Sequence, residues 1–183
     1  MARKTRPHTL TDIIAARRER VILRGEWLGL LLRAALLALA GWLLVTQVFL
    51  IAQNTGVGMF PALKDGDLMI AFRLQGEYAK GDVIAYRAEG QRHVGRIVAG
   101  AGDAVAMDAE GTLTVNDAVQ TGEILYPTYP RGEGEAYAVT VPEGCVYVLG
   151  DYRTQTLDSR DFGPVALDAV EGKVITILRR RGL

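Results

Sequence analysis

Serine is almost missing from this chain of 183 residues: it occurs once, as Ser159, so chemistry that needs a serine hydroxyl has one residue to use. Cysteine also occurs once, as Cys145, which excludes an internal disulfide, a cysteine-based zinc site and a redox pair. Lysine is confined to Lys4, Lys64, Lys80 and Lys173. No metal or cofactor is expected. Net charge is zero, but the zero is a sum of unlike parts. Residues 1–52 carry eight Lys/Arg against three Asp/Glu, and residues 53–183 carry thirteen against eighteen. The basic end suits an anionic membrane surface, and the acidic remainder lacks the basic footprint that nucleic-acid binding needs. Nucleic acid is therefore not an expected partner, whereas membrane lipid is.

Charge is absent altogether from Ala34 to Ala52, a run of 19 residues. At 1.5 Å per residue such a run crosses roughly 30 Å of hydrocarbon as a helix. Trp27 and Arg33 flank it as interfacial anchors. Arg3, Lys4, Arg6, Arg17, Arg18, Arg20 and Arg24 precede it, and the positive-inside bias then places the N-terminus in the cytoplasm. A cleaved secretory signal is the rival reading, but the run is long for one and no small-x-small site follows it before Asn54. A buried core helix is the other, and the run has no polar face to support it. The expected division is a basic cytoplasmic segment (1–26), a single-pass transmembrane anchor (27–52) and an extracytoplasmic domain (53–183) in the cell membrane.

Beyond Gln53 short β-favouring runs alternate with turn residues. Strands are expected at 68–72, 82–86, 93–98, 136–141, 146–150 and 174–178. Lys64-Asp65-Gly66-Asp67, Lys80-Gly81-Asp82, Glu110-Gly111 and Pro142-Glu143-Gly144 supply turn chemistry between them. The fold class is mainly β, an antiparallel domain behind one N-terminal helix. Residues 116–135 lack periodicity and are expected to form a long loop or an inserted hairpin arm.

Three local sequences combine residues that fold economy alone would not place together. The first is Asn54-Thr55-Gly56-Val57-Gly58-Met59-Phe60-Pro61, just after the anchor. The second is Arg92-His93-Val94-Gly95-Arg96, closing on Gly102-Asp103. The third is Gly150-Asp151-Tyr152-Arg153-Thr154-Gln155-Thr156-Leu157-Asp158-Ser159-Arg160.

In content and order these resemble the boxes of the type I signal peptidases: Ser-Met-x-Pro after the membrane span, Lys-Arg followed by Gly-Asp, and Gly-Asp-Asn-x-x-x-Ser-x-Asp-Ser-Arg. The resemblance covers residues 30–178. It implies a signal-peptidase-like β-domain with a framework of Met59, Pro61, Arg96, Gly102, Asp103, Gly150, Asp151, Arg153, Thr156, Asp158, Ser159 and Arg160. It also implies that a serine attacks the scissile carbonyl while a lysine, kept neutral by desolvation, takes its proton. Laid on this chain, the nucleophile position falls on Gly58 and the general-base position on Gly95. Neither glycine has a side chain that reacts. Ser159 falls on the structural Asp-Ser-Arg instead, and no lysine falls on the base position.

The resemblance therefore implies a catalytically silent member that binds secreted or membrane proteins, signal-peptide-bearing or surface proteins among them, and assists their processing or assembly. An active peptidase with non-standard groups is the alternative, with Thr55 as nucleophile and His93 as base, since residues 93 and 95 share a strand face. His93 is otherwise read as an edge or surface residue. A third reading is an anchor subunit that recruits an intact peptidase paralogue. Met59, Phe60 and the strand at 68–72 are read as a peptide or bilayer surface, or simply as core. Asp158 is expected to pair with Arg160, and Asp151 and Arg153 to fix the loop. Restoring Gly58→Ser with Gly95→Lys is expected to return activity where the cleft is kept.

Overall fold

In the computed structural model, residues 10–121, 126–131 and 137–179 are described, with side chains from residue 25 onward. The chain divides into two units, Met1–Thr46 and Gln47–Leu183. Helix α1 runs from Leu10 to Val48, and its stretch Gly25–Val48 has a mean hydropathy of 2.2 with none of it buried by protein. A helix of that length and composition is suited to hydrocarbon on all sides. The expected anchor is shorter at its far end than the sequence implied, because Phe49–Gln53 form strand β1 instead of a last helical turn. The pairing of Leu50 with Ala71 and Ala52 with Met69 offers those residues sheet hydrogen bonds and an apolar cluster to pack on. Arg3, Lys4 and Arg6, the side chains of Arg17, Arg18, Arg20 and Arg24, and residues 122–125 and 132–135 of the expected loop or arm lie outside the described residues.

The second unit holds two antiparallel sheets. The strands are β2 (Leu68–Phe72), β3 (Val83–Ala88), β4 (Gln91–Ala99), β5 (Ala104–Met107), β6 (Leu113–Val115), β7 (Ala118–Val119), β8 (Tyr137–Thr140), β9 (Cys145–Leu149), β10 (Val165–Ala166) and β11 (Val170–Leu178). The larger sheet is ordered β1-β2-β11-β3-β4-β9-β10 and the smaller β7-β6-β5-β8. Every expected strand is present. The segment at 116–135 resolves at its start into a hairpin, with β7 paired to β6. Helix α2 (Ser159–Phe162) is a single turn capped by Asp158.

Strand β9 reads Cys-Val-Tyr-Val-Leu, and its alternation serves two cores at once. Tyr147 and Leu149 pack with Val105, Met107, Leu113 and Val115 of the smaller sheet. Val146 and Val148 pack on the other side with Ile84, Tyr86 and Ile97. A third cluster, Met59, Leu63, Met69 and Ala85, fixes the segment after β1 to the sheet.

Charge pairs tie the sheet together at the surface. Glu171 on β11 accepts from Arg87 of β3 at 2.7 Å and from Arg92 of β4. The Arg92 guanidinium foremost, and then that of Arg87, hold the Glu171 carboxyl below its ordinary value. A lowered folded value means that the stabilisation is present above the ordinary carboxylate range and is lost as pH falls through the folded value. Glu171→Gln should therefore lower the urea midpoint at pH 7 and leave it equal to that of the wild type near pH 3. A gap that persisted at pH 3 would count against the ion pairs as its source.

Candidate functional site

The segment leaving β1 is held by one buried amide. Asn54 donates through Nδ2 to the carbonyls of Gly56 (3.2 Å) and Lys64 (3.0 Å), and its backbone N–H donates to Asp67 O at 2.8 Å. Asp65 Oδ1 accepts from Gly56 N at 2.7 Å. Gly56 and Gly66 have φ of +87° and +82°, values that favour glycine, so the chain doubles back here at little strain. The result is a fixed stretch from Thr55 to Met59, with Gly58 O accepting from Tyr152 N at 2.9 Å. The first and third sequence boxes are thereby joined by backbone.

The third box is built around a buried carboxylate. Asp158 Oδ1 accepts from Arg160 N (3.1 Å) and Nε (2.9 Å), while Oδ2 accepts from Arg160 Nη2 (2.9 Å) and Gly150 N (3.1 Å). Arg160 also donates to the carbonyls of Tyr129 and Arg153. Ser159 is fully buried, and its Oγ accepts from Val148 N at 3.0 Å. The expected Asp158–Arg160 pair is present. Asp151 does something the sequence did not suggest: it takes a two-pronged contact from Arg96, Nε to Oδ1 at 2.9 Å and Nη2 to Oδ2 at 2.7 Å. That bond joins the second box to the third. Arg153 donates instead to Gly150 O (2.8 Å) and Thr128 Oγ1 (2.6 Å), and burial pulls its guanidinium down to about 10. Gly102 and Asp103 form the turn before β5, where Asp103 accepts from Gly100 N and pairs with Lys80 at 2.9 Å.

A cavity of about 580 Å³ opens between these parts. Its walls are Gln53–Met59 on one side, Gln91–Val94 of β4 on another, and Gln155–Leu157 of the third box. Gly58, Thr55, His93 and Thr156 all line it. Strand β4 pairs with β3 from Gln91 to Arg96 but with β9 only from Arg96 onward. Residues 91–95 therefore leave one backbone edge without a strand partner among the described residues. Met59 is core, 1% exposed, whereas Phe60 is 37% exposed.

His93, expected as an edge or surface residue, lies half-buried on the open edge of β4. Its ring stacks on Tyr86 at 5.7 Å and meets Phe162 at 5.5 Å. The same apolar face receives residue 95: a Cβ added at Gly95 would stand 2.5 Å from Val148 Cγ1 and 3.5 Å from the Tyr86 ring. At Gly58 an added Cβ would stand 2.8 Å from Thr156 Oγ1. Each glycine is thus matched by a neighbour that occupies side-chain space, Val148 for one and Thr156 for the other. Sequence reasoning missed Val148, although the uninterrupted apolar run of β9 already signals a strand buried on both faces. It also missed Asn54 as the fastener; a polar residue between an apolar strand and a glycine turn is the signal that was there.

The remaining reactive groups are tied elsewhere. Lys80 pairs with Asp103 at 2.9 Å and Lys173 with Asp82 at 2.7 Å, and neither lines the cavity beside Gly58. Lys64 sits in the exposed turn after Leu63. Burial raises the Tyr86 phenol, which keeps its proton. No group of three or more His, Cys, Asp or Glu able to hold a metal ion occurs among the described residues.

Residues 24–178 match the family described as signal peptidase, peptidase S26. Signal peptidase I of Bacillus caldolyticus is 32% identical over 134 residues, which cover 65% of this chain and 73% of that one. The probable thylakoidal processing peptidase 2 of Arabidopsis thaliana, a chloroplast protein, is 32% identical over 131 residues, 64% of this chain and 34% of its own. The chain thus spans about a third of that relative. The solved structure of a signal peptidase I from Enterococcus faecalis V583 shares 29% identity over 55% of this chain and 97% of its own, with a TM-score of 0.45.

Proposed function

Because this chain belongs to the signal peptidase family, peptidase S26, we propose that it is a catalytically silent member which binds extended segments of secreted or membrane proteins and assists their processing or assembly. The observation that carries the proposal is the pairing of Gly58 and Gly95 with the fate of the other candidates. The one serine of the sequence is buried and accepts a backbone hydrogen bond, and Lys80 and Lys173 are locked to carboxylates. Neither amine lies among the residues that line the cavity beside Gly58, so neither is within reach of a proton there. The open edge of β4 at 91–95, beside the cavity, supports binding by strand addition, which needs no nucleophile. The apolar helix Gly25–Val48 supports attachment to the membrane, and the basic residues before it support a cytoplasmic N-terminus.

The test is the full-length protein in neutral detergent with a signal-peptide-bearing substrate. We expect the substrate to bind and to remain intact over many hours. A second reading is favoured by one observation: two hydroxyls, Thr55 and Thr156, line the same cavity as the His93 imidazole. Cleavage lost on His93→Ala, or on alanine at either threonine, would establish that reading and overturn silence. An intact peptidase paralogue co-purifying with the chain would give the binding function its catalytic partner.

A further inference from the structure

On the surface that carries Arg96 and Val98, a second cavity of about 670 Å³ shares no lining residue with the one beside Gly58. Pro61, Ala62, Ile97 and Val98 give it apolar walls, and four cations reach it: Lys80, Arg96, Arg153 and Arg179. Among the described residues, the sole carboxylate in the lining is Asp151. Two of the cations are already answered. Asp103 takes Lys80 at 2.9 Å, and Asp151 takes Arg96 through both oxygens. The other two are not. Arg153, 2% exposed, is bonded only by the neutral acceptors Gly150 O and Thr128 Oγ1, and it meets Asp158 and Asp151 at longer range. Arg179 makes no ion pair among the described residues. The burial of the Arg153 guanidinium against neutral acceptors is offset only by carboxylates at longer range, and an anion in the cavity adds a direct counter-charge.

From this arrangement we propose that the second cavity binds a phosphate monoester carrying a short apolar chain, its head group between Arg153 and Arg179 and its chain against Pro61, Ala62, Ile97 and Val98. The charge selects the head group. A phosphate monoester carries about −1.5 to −2 near neutral pH, which suits two guanidiniums that touch no carboxylate directly, with Arg179 free to grip two oxygens and Arg153 offering its Nη2. The walls select the chain, because inorganic phosphate would leave most of the space unfilled. A free alkyl phosphate and a lipid phosphate share this chemistry.

The experiment uses the full-length protein in neutral detergent, with hexyl phosphate as probe and inorganic phosphate and hexanol as its separate halves, followed by calorimetry and thermal unfolding. Hexyl phosphate is expected to bind at one site and to raise the unfolding temperature by several degrees at about 100 times its Kd. Neither half should do so. Arg179→Glu, at an exposed position, should weaken binding at least about tenfold, and Thr121→Trp at the rim should do the same by filling the mouth. Equal binding to wild type and both variants would overturn the assignment, as would inorganic phosphate binding as tightly as hexyl phosphate. Reconstitution then distinguishes the source of the phosphate. Competition by a bilayer containing phosphatidic acid, but not by phosphatidylcholine alone, assigns a lipid head group, and unchanged hexyl phosphate binding in both assigns a soluble ligand.

Discussion

A triple variant, Gly58→Ser with Gly95→Lys and Val148→Ala, is expected to cleave a signal-peptide-bearing substrate on the order of 100-fold above the wild-type background, while the double variant without Val148→Ala stays inactive. The difference lies in what each new side chain meets. At position 58 the Cβ approaches Thr156 Oγ1 at 2.8 Å and Thr156 Cβ at 3.1 Å, but the hydroxyl is held only by a 3.4 Å contact to Leu157 O, so rotation and a shift of a few tenths of an ångström make room. At position 95 the Cβ approaches Val148 Cγ1 at 2.5 Å, and Val148 is fully buried among Ile84, Tyr86 and Ile97. Its methyl has nowhere to turn, so overpacking there costs about 1–3 kcal/mol and displaces the lysine stem. Alanine at 148 removes that methyl and gives the stem a path along Tyr86 and His93. Those rings desolvate the amine and favour its neutral form, as a general base requires. The check is a gel or mass-spectrometric assay in detergent. A well-folded triple variant without activity would mean that the cavity does not hold a scissile bond near residue 58.

The largest expected loss of stability is at Asp158. One carboxylate serves Gly150 N, Arg160 N, Arg160 Nε and Arg160 Nη2, and it caps α2, with side-chain exposures of 2% for Arg160 and 1% for Asp158. Removing one partner of a buried pair leaves the other charge without compensation, which costs about 3–5 kcal/mol. For a domain of this size Asp158→Ala should lower the unfolding temperature by roughly 10 °C. Asp158→Asn keeps the shape and part of the hydrogen bonding, and it should fall between alanine and wild type. Substitution of Arg131, whose pair with Asp161 is partly exposed, should move the temperature far less. If Asp158→Ala and the Arg131 variant lost equal stability, burial would not be what sets the cost.

The strands were legible because apolar runs such as Leu68–Phe72 and Cys145–Leu149 are bounded by glycine and proline turns, a local signal that tertiary packing reinforces. The end of the helix was not legible. Phe-Leu-Ile-Ala is as apolar as the helix before it, and only a partner strand at Leu68–Phe72 makes it β. The order of the boxes points to the two glycine positions as an expectation, and the Asp158–Arg160 pair was legible from its charges. What stayed hidden were contacts between distant segments: Arg96 with Asp151, Tyr152 N with Gly58 O, His93 between two aromatic rings, and Val148 beneath Gly95. Spacing along a chain says little about which far residue will share a face, so the crowding that separates the double variant from the triple one had no trace in the sequence.

The hydroxyl of Ser159 is engaged by the amide of Val148 in the domain interior, out of reach of reagents in solution. A serine-directed warhead such as a fluorophosphonate meets no exposed serine here, because the single one is fully buried. On the proposed silent reading, a covalent inhibitor that blocks serine-dependent peptidases in the same membrane preparation is expected to leave this protein unmodified.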